Sequence, residues 1–264
     1  MNYDLVICGV GGQGVLSIAW VIDHAAHEAG LHFKQSEVHG MAQRGGAVSA
    51  CVRLSDQPLA SDLIASGEAA LVLSVEPLEA LRYTQLLSPA GWIVTDVTPM
   101  VNIPDYPSAE RLYPVLFSAP QLVVLDATQL AKKAGNIKAQ NMVALGAAAR
   151  LLPLPPEALE RQITALFEAK GERIVRANLN AFRMGDAASR FGAALAEAGI
   201  PGNVVARVVP RLQFPAHPLP PELVTAWAER LLAADGADVA RQLFDGGKAV
   251  KPETVTELAA SAAA

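Results

Sequence analysis

Cysteine is almost missing: the 264 residues include two, Cys8 and Cys51, each inside its own apolar run. That usage predicts small buried residues in a reducing compartment, and it excludes a four-thiolate iron–sulfur site within this chain. Charge is sparse as well, at 18% of residues with a net −5 and no Lys/Arg cluster. Neither a nucleic-acid footprint nor contact with an anionic membrane surface is predicted. No apolar run reaches the length of a membrane span, and no basic leader with a cleavable apolar segment precedes the first strand pattern, so a cytoplasmic chain is expected. What the sequence does have is apolar residues, at 52%, with only 5% aromatics. A chain this apolar is expected to bury part of its surface against another protein, that is, to be a subunit.

Tyr3–Cys8 is a continuous β-prone run, as in a strand buried on both faces of a parallel sheet. Further strands are predicted at Leu31–Gln35, Ala47–Leu54, Ala69–Val75, Gly91–Thr95 and Gln121–Asp126. Helices are predicted between them, the first from Val15 to Ala29 with Gly30 as its stop. Strands alternating with helices give an α/β fold: a wound, largely parallel sheet flanked by helices, with a helical C-terminal part and an extended tail. After Asp126 the β signal fades into successive helices, Ala127–Ala134, Ala139–Leu151, Pro156–Ala169 and Arg173–Ala198. A domain over 1–200 and a tail over 201–264 are expected. In the tail Pro210, Pro215, Pro218, Pro220 and Pro221 read as a linker before short helices, suited to partner binding.

Gly9, Gly11 and Gly14 satisfy G-x-G-x-x-G between a strand and a helix, which offers backbone N–H groups and a helix N-terminus to an anion. In a dinucleotide-binding fold an acid at the end of the second strand takes the ribose hydroxyls. Here that strand ends Phe33-Lys34-Gln35-Ser36, and Glu37 comes late. The alternative is that the glycines only let the helix pack closely on the sheet.

Ser36-Glu-Val-His-Gly-Met-Ala-Gln-Arg-Gly-Gly46 reads as a polar, glycine-bearing loop between the second and third strands. Loops after strands one and two share the C-terminal edge of a parallel sheet, so Gly11, Gly12, Gln13 and Gly14 are expected to form one surface with Glu37, His39, Gln43 and Arg44. Arg44, flanked by glycine, suits a carboxylate, a phosphate or a partner carbonyl. The plainer alternative is a capped turn in which Arg44 is solvated or pairs with Glu37. Glu37 and His39 are spaced like an acid and a base, yet no activated Ser or Cys stands beside them, so no catalytic residue is assigned. His24 and His27 lack a third ligand, and no metal site is predicted.

GVGGQG at the first turn, SEVHGMAQRGG before the third strand, Asn141–Gly146 and Val175–Gly185 together resemble the gamma-type domain of 2-oxoacid:acceptor oxidoreductases, in the form of the indolepyruvate ferredoxin oxidoreductase beta subunit. The resemblance spans Met1 to about Gly185 and leaves the tail open. It implies oxidative decarboxylation of an aryl-2-oxoacid to its acyl-CoA. It further implies that thiamine diphosphate, Mg and [4Fe-4S] clusters reside in a partner alpha subunit, with ferredoxin or another acceptor reached through the complex. This chain alone would bind none of these cofactors; it carries no G-D-G thiamine signature. The glycine turn and Arg44 would then shape an interface or an entrance for substrate or coenzyme A. Two other readings remain at this point: a stand-alone dinucleotide-binding reductase and a purely structural assembly subunit.

Overall fold

The computed structural model describes residues 1–40 and 45–262, with side chains through Leu258. The chain runs β1 (Asn2–Val10), α1 (Val15–Glu28), β2 (His32–His39), β3 (Ala47–Ser55), β4 (Ala69–Ser74), α2 (Pro77–Arg82), β5 (Leu87–Asp96), α3 (Ala109–Leu116) and β6 (Leu122–Leu125). Helices follow: α4 (Ala127–Lys133), α5 (Gln140–Ala148), α6 (Pro156–Phe167), α7 (Glu172–Glu197), α8 (Gly202–Val208), α9 (Pro221–Leu232), α10 (Gly236–Asp245) and α11 (Val255–Ala262).

One sheet holds all six strands in the order β2-β3-β1-β4-β5-β6. β1, β4, β5 and β6 are mutually parallel, whereas β3 is antiparallel to both neighbours, β1 and β2. The sheet is therefore mixed. The His39-to-Ala47 connection is far too short for a parallel crossover, which needs a dozen residues or more. β2 also extends past Gln35: its ladder runs on from Ser36↔Cys51 through Glu37↔Ala50 to His39↔Val48, so four residues expected in a loop, Glu37 and His39 among them, lie on an edge strand.

Alternation along β1 splits the core. Leu5 and Ile7 pack with α1, α5 and α7 on one face, and Val6 and Cys8 pack with Ala80 of α2 on the other. The first face is the thicker one, because α4 to α7 all contribute to it. α5 and α7 approach until their backbones touch: a Cβ on Gly146 would lie 1.8 Å from the Phe182 carbonyl oxygen, and one on Gly185 would lie 2.0 Å from that of Val143. Both glycines belong to motifs that carried the resemblance, and their role is this crossing.

Beyond Ile200 the chain packs back onto the same core. Phe214 and Trp227 are fully buried, Phe214 lies 5.5 Å from Phe191 of α7 between ring centroids, and the Trp227 indole donates to the Pro252 carbonyl at 2.8 Å. α8 forms at the start of the expected tail, ahead of its prolines, and the irregular part narrows to residues 212–220.

Candidate functional site at the glycine turn

The C-terminal ends of β1, β2, β4, β5 and β6 share one edge of the sheet, and the glycine turn sits near its middle. Gly14, at φ 82°, is the N-cap residue of α1, and no side chain caps that end. The positive φ strains any L side chain, and a Cβ here would come within 2.4 Å of Asn141 Nδ2. Asn141 is the contact that sequence reasoning did not assign. From the start of α5 it donates through Nδ2 to the Gly14 carbonyl at 3.2 Å, while its Oδ1 accepts from the Met142 N–H at 3.0 Å. Its 127-residue separation from Gly14 hides the pairing from a local reading of the sequence.

Gln13 points inward. Its Oε1 accepts from the Val10 N–H at 2.7 Å, its Nε2 donates to the Val75 carbonyl at 2.9 Å, and its own N–H donates to Val10 at 3.0 Å. It is a strut joining the ends of β1 and β4, with its amide group occupied. Gly11 is also held, donating to the Gly46 carbonyl at 2.7 Å and accepting from the Gly45 N–H at 3.2 Å. Among the described residues the N–H groups of Gly12, Gly14 and Val15 have no backbone acceptor outside regular structure. An uncapped helix start with such donors is suited to an anion.

These donors border an open pocket of about 400 Å³ lined by Val10, Gly12, Leu16, Ser17, His39 and Val48. His39 thus does join the glycine turn. Glu37 sits one pleat away on β2, where its Oε1 accepts from Gln35 Nε2 at 2.6 Å. Burial, and then the charge of Glu37, push the carboxyl of Asp23 on α1 up to about 7. The expected positions of Gln43 and Arg44 lie outside the described residues.

Across the edge, acids at the strand ends hold the following turns. Glu76 caps α2 by accepting from the Glu79 N–H at 2.7 Å, and its Oε1 accepts from the Met100 N–H at 3.3 Å and from the Tyr106 hydroxyl. Asn102 then donates to the Gly45 carbonyl at 2.8 Å, bringing the β5–α3 loop to the loop that follows β2. Asp96 accepts from the Thr98 N–H at 3.0 Å and the Ala127 N–H at 3.1 Å; complete burial pushes its carboxyl up to about 7. Asp126 caps α4 through the Gln129 N–H at 2.8 Å. Each of these acids is occupied in holding a turn.

The topology removes the setting for a dinucleotide. That fold requires a parallel second strand beside β1 with an acid at its tip; here β3, antiparallel to both, stands between β1 and β2. Among the described residues no group of three or more His, Cys, Asp or Glu could hold a metal ion. Nor is any helix there long and apolar enough to cross a membrane.

Fold and turn together define an α/β protein with an open pocket at the glycine-turn edge of its sheet. The sequence matches the family described as pyruvate ferredoxin/flavodoxin oxidoreductase over residues 4–188, and the chain belongs to that family. It is 38% identical to the indolepyruvate oxidoreductase subunit IorB of Methanothermobacter thermautotrophicus, over 74% of this chain and 98% of the relative. With the same-named subunit of Pyrococcus horikoshii it shares 35% identity, over 72% and 96%. In fold it is similar to the 2-oxoglutarate:ferredoxin oxidoreductase of Magnetococcus marinus, with TM-score 0.57 and 20% identity over 75% of this chain and 37% of that one. The pyruvate oxidoreductase subunit PORC of Thermotoga maritima gives 0.54 and 23%, over 70% and 94%. The relatives are subunits of oxidoreductase complexes, and residues beyond 188 fall outside the family match.

Proposed function

We propose that this chain is the beta subunit, bearing no cofactor of its own, of an indolepyruvate or related aryl-2-oxoacid:ferredoxin oxidoreductase. The reaction converts the oxoacid and coenzyme A into acyl-CoA and carbon dioxide, and two electrons pass to ferredoxin or an equivalent acceptor. The observation that carries this reading is the 38% identity to a subunit of that name along nearly its whole length.

In this reading thiamine diphosphate, Mg and the [4Fe-4S] clusters belong to a partner alpha subunit in the cytoplasm. The chain's own residues do not fit a cluster: Cys8 is fully buried in β1, Cys51 is half-buried on neighbouring β3, and there are no others. Burial also raises both thiols above the ordinary range, against the thiolate a metal would need. No chemical step is therefore assigned to them.

What this chain supplies is a surface. The N–H groups of Gly12, Gly14 and Val15 are donors suited to a phosphate of coenzyme A or to the rim of the partner's substrate entrance, and the guanidinium of Arg44 has the chemistry to assist them. The test uses the two-chain complex. Arg44→Ala is expected to raise the apparent KM for coenzyme A or to weaken subunit association, by about tenfold for a lost charge-assisted contact. If both quantities stay at the wild-type value, this role for the turn fails. An assembly-only role would weaken association and leave the KM of the assembled complex unmoved.

A further inference from the structure

α5 carries the chain from the glycine turn to the opposite edge of the sheet, where it delivers Arg150. There the Nε of Arg150 donates to the buried Ser189 hydroxyl at 2.8 Å, and the guanidinium lies 5.0 Å from the Trp92 ring centroid. Among the described residues no carboxylate lies within 4.0 Å of it, and no hydrogen bond is made by its two terminal nitrogens. The Asp186 carboxylate nearby is held by Arg190 at 2.7 Å. Arg190 adds a second positive charge that, after desolvation, also disfavours the Arg150 cation; Asp186 and Glu197 oppose this from a distance. Half-buried cations in proteins are ordinarily paired, because an unpaired one forfeits hydration without return.

This guanidinium lines a cavity of about 190 Å³ whose other walls include Trp92, Gly192, Ala193, Ala196 and Val205. The small residues of α7 and the start of α8 leave the space open; even a Cβ on Gly192 would meet only Val205 and Val209, at 3.4 Å. An apolar cavity of about 150 Å³ is enough for a benzene ring. One free cation, one indole wall and room for a ring together describe a ligand class.

We propose that this cavity binds a small organic monocarboxylate with a compact apolar body, the carboxylate on the terminal nitrogens of Arg150 and the body between Trp92 and α7. Because α8 forms one wall, the site depends on the segment beyond the family match, and it stands independently of the function proposed above. Bidentate recognition by a guanidinium already fixed by Ser189 and Trp92 costs little ordering.

The experiment is calorimetric titration of the full chain with phenylacetate, its neutral isostere phenylacetamide and inorganic phosphate. Phenylacetate is expected to saturate, with phenylacetamide and phosphate each weaker by about tenfold or more, the cost of losing the charge or the apolar body. Arg150→Gln is expected to lose the preference for the acid, and Ala193→Leu, which keeps the cation but fills the cavity, to lose binding at an unchanged Tm. Equal affinity for acid and amide on the unaltered chain overturns the proposal whether or not either variant folds. So does a phenylacetate affinity that either variant leaves unchanged.

Discussion

The two edges of the sheet treat their polar groups in opposite ways. At the edge bearing the glycine turn four polar side chains are consumed by other parts of the chain: Gln13 by β1 and β4, Asn141 by Gly14, Glu76 by α2 and the β5–α3 loop, and Asp126 by α4. Beside them stand the backbone N–H groups of an uncapped helix. At the other edge it is a side chain that keeps unfilled capacity, the guanidinium of Arg150. The lesson is that polar residues concentrated at one edge build its shape, while the unfilled capacity of each edge is small and must be found by accounting for hydrogen bonds.

α5 connects the edges, so the largest effect is expected where it meets α7. Gly146→Ala places a methyl on the Phe182 carbonyl, and backbone cannot yield as a side chain end can. It should cost about 3 kcal/mol or more, at the upper end of overpacking, and urea unfolding should read that loss with both edges affected. Next comes Gln13→Ala, which strands the Val10 N–H and the Val75 carbonyl in a buried turn. A loss of about 2 kcal/mol is expected, and it would blur the contrast between the edges if it were much smaller.

The buried acid Asp96 gives a pH signature. Its folded value, about 7, lies above the ordinary carboxylate value, so the folded state holds a proton that the unfolded state has released. Its contribution to stability is fully present below about pH 4 and is lost as pH rises through 7. Asp23, with the same direction of shift, adds to the decline. Asp96→Asn keeps an oxygen for the Thr98 and Ala127 N–H groups and should flatten the decline in unfolding free energy between pH 4 and 7. The smallest effect belongs to Arg150→Gln, whose parent charge has no carboxylate partner. Stability should change by less than about 1 kcal/mol, and a larger loss would mean that the two edges are alike after all.

The parallel strands were legible because Leu5–Cys8 and Leu71–Ser74 are buried on both faces and read as unbroken apolar runs. The far half of β2 was not, since an edge strand with exposed Glu37 and His39 loses the burial that enforces alternation. The reversal of β3 follows from the length of a connection and leaves no mark in residue type. α8 was hidden by Pro201 and Pro210, which bracket it. Of the candidate site, the glycines could be read from spacing alone, whereas the inward turn of Gln13 and the partnership with Asn141 depend on contacts across elements far apart in sequence.

The most direct measurement is pull-down of the tagged full chain from its native host, followed by assay of iron, thiamine diphosphate and coenzyme A-dependent oxoacid oxidation. A second chain carrying iron and thiamine diphosphate should accompany it, with turnover only when both are present. Turnover by the isolated chain, or its recovery with no such companion, would contradict a subunit that provides surface to another's chemistry.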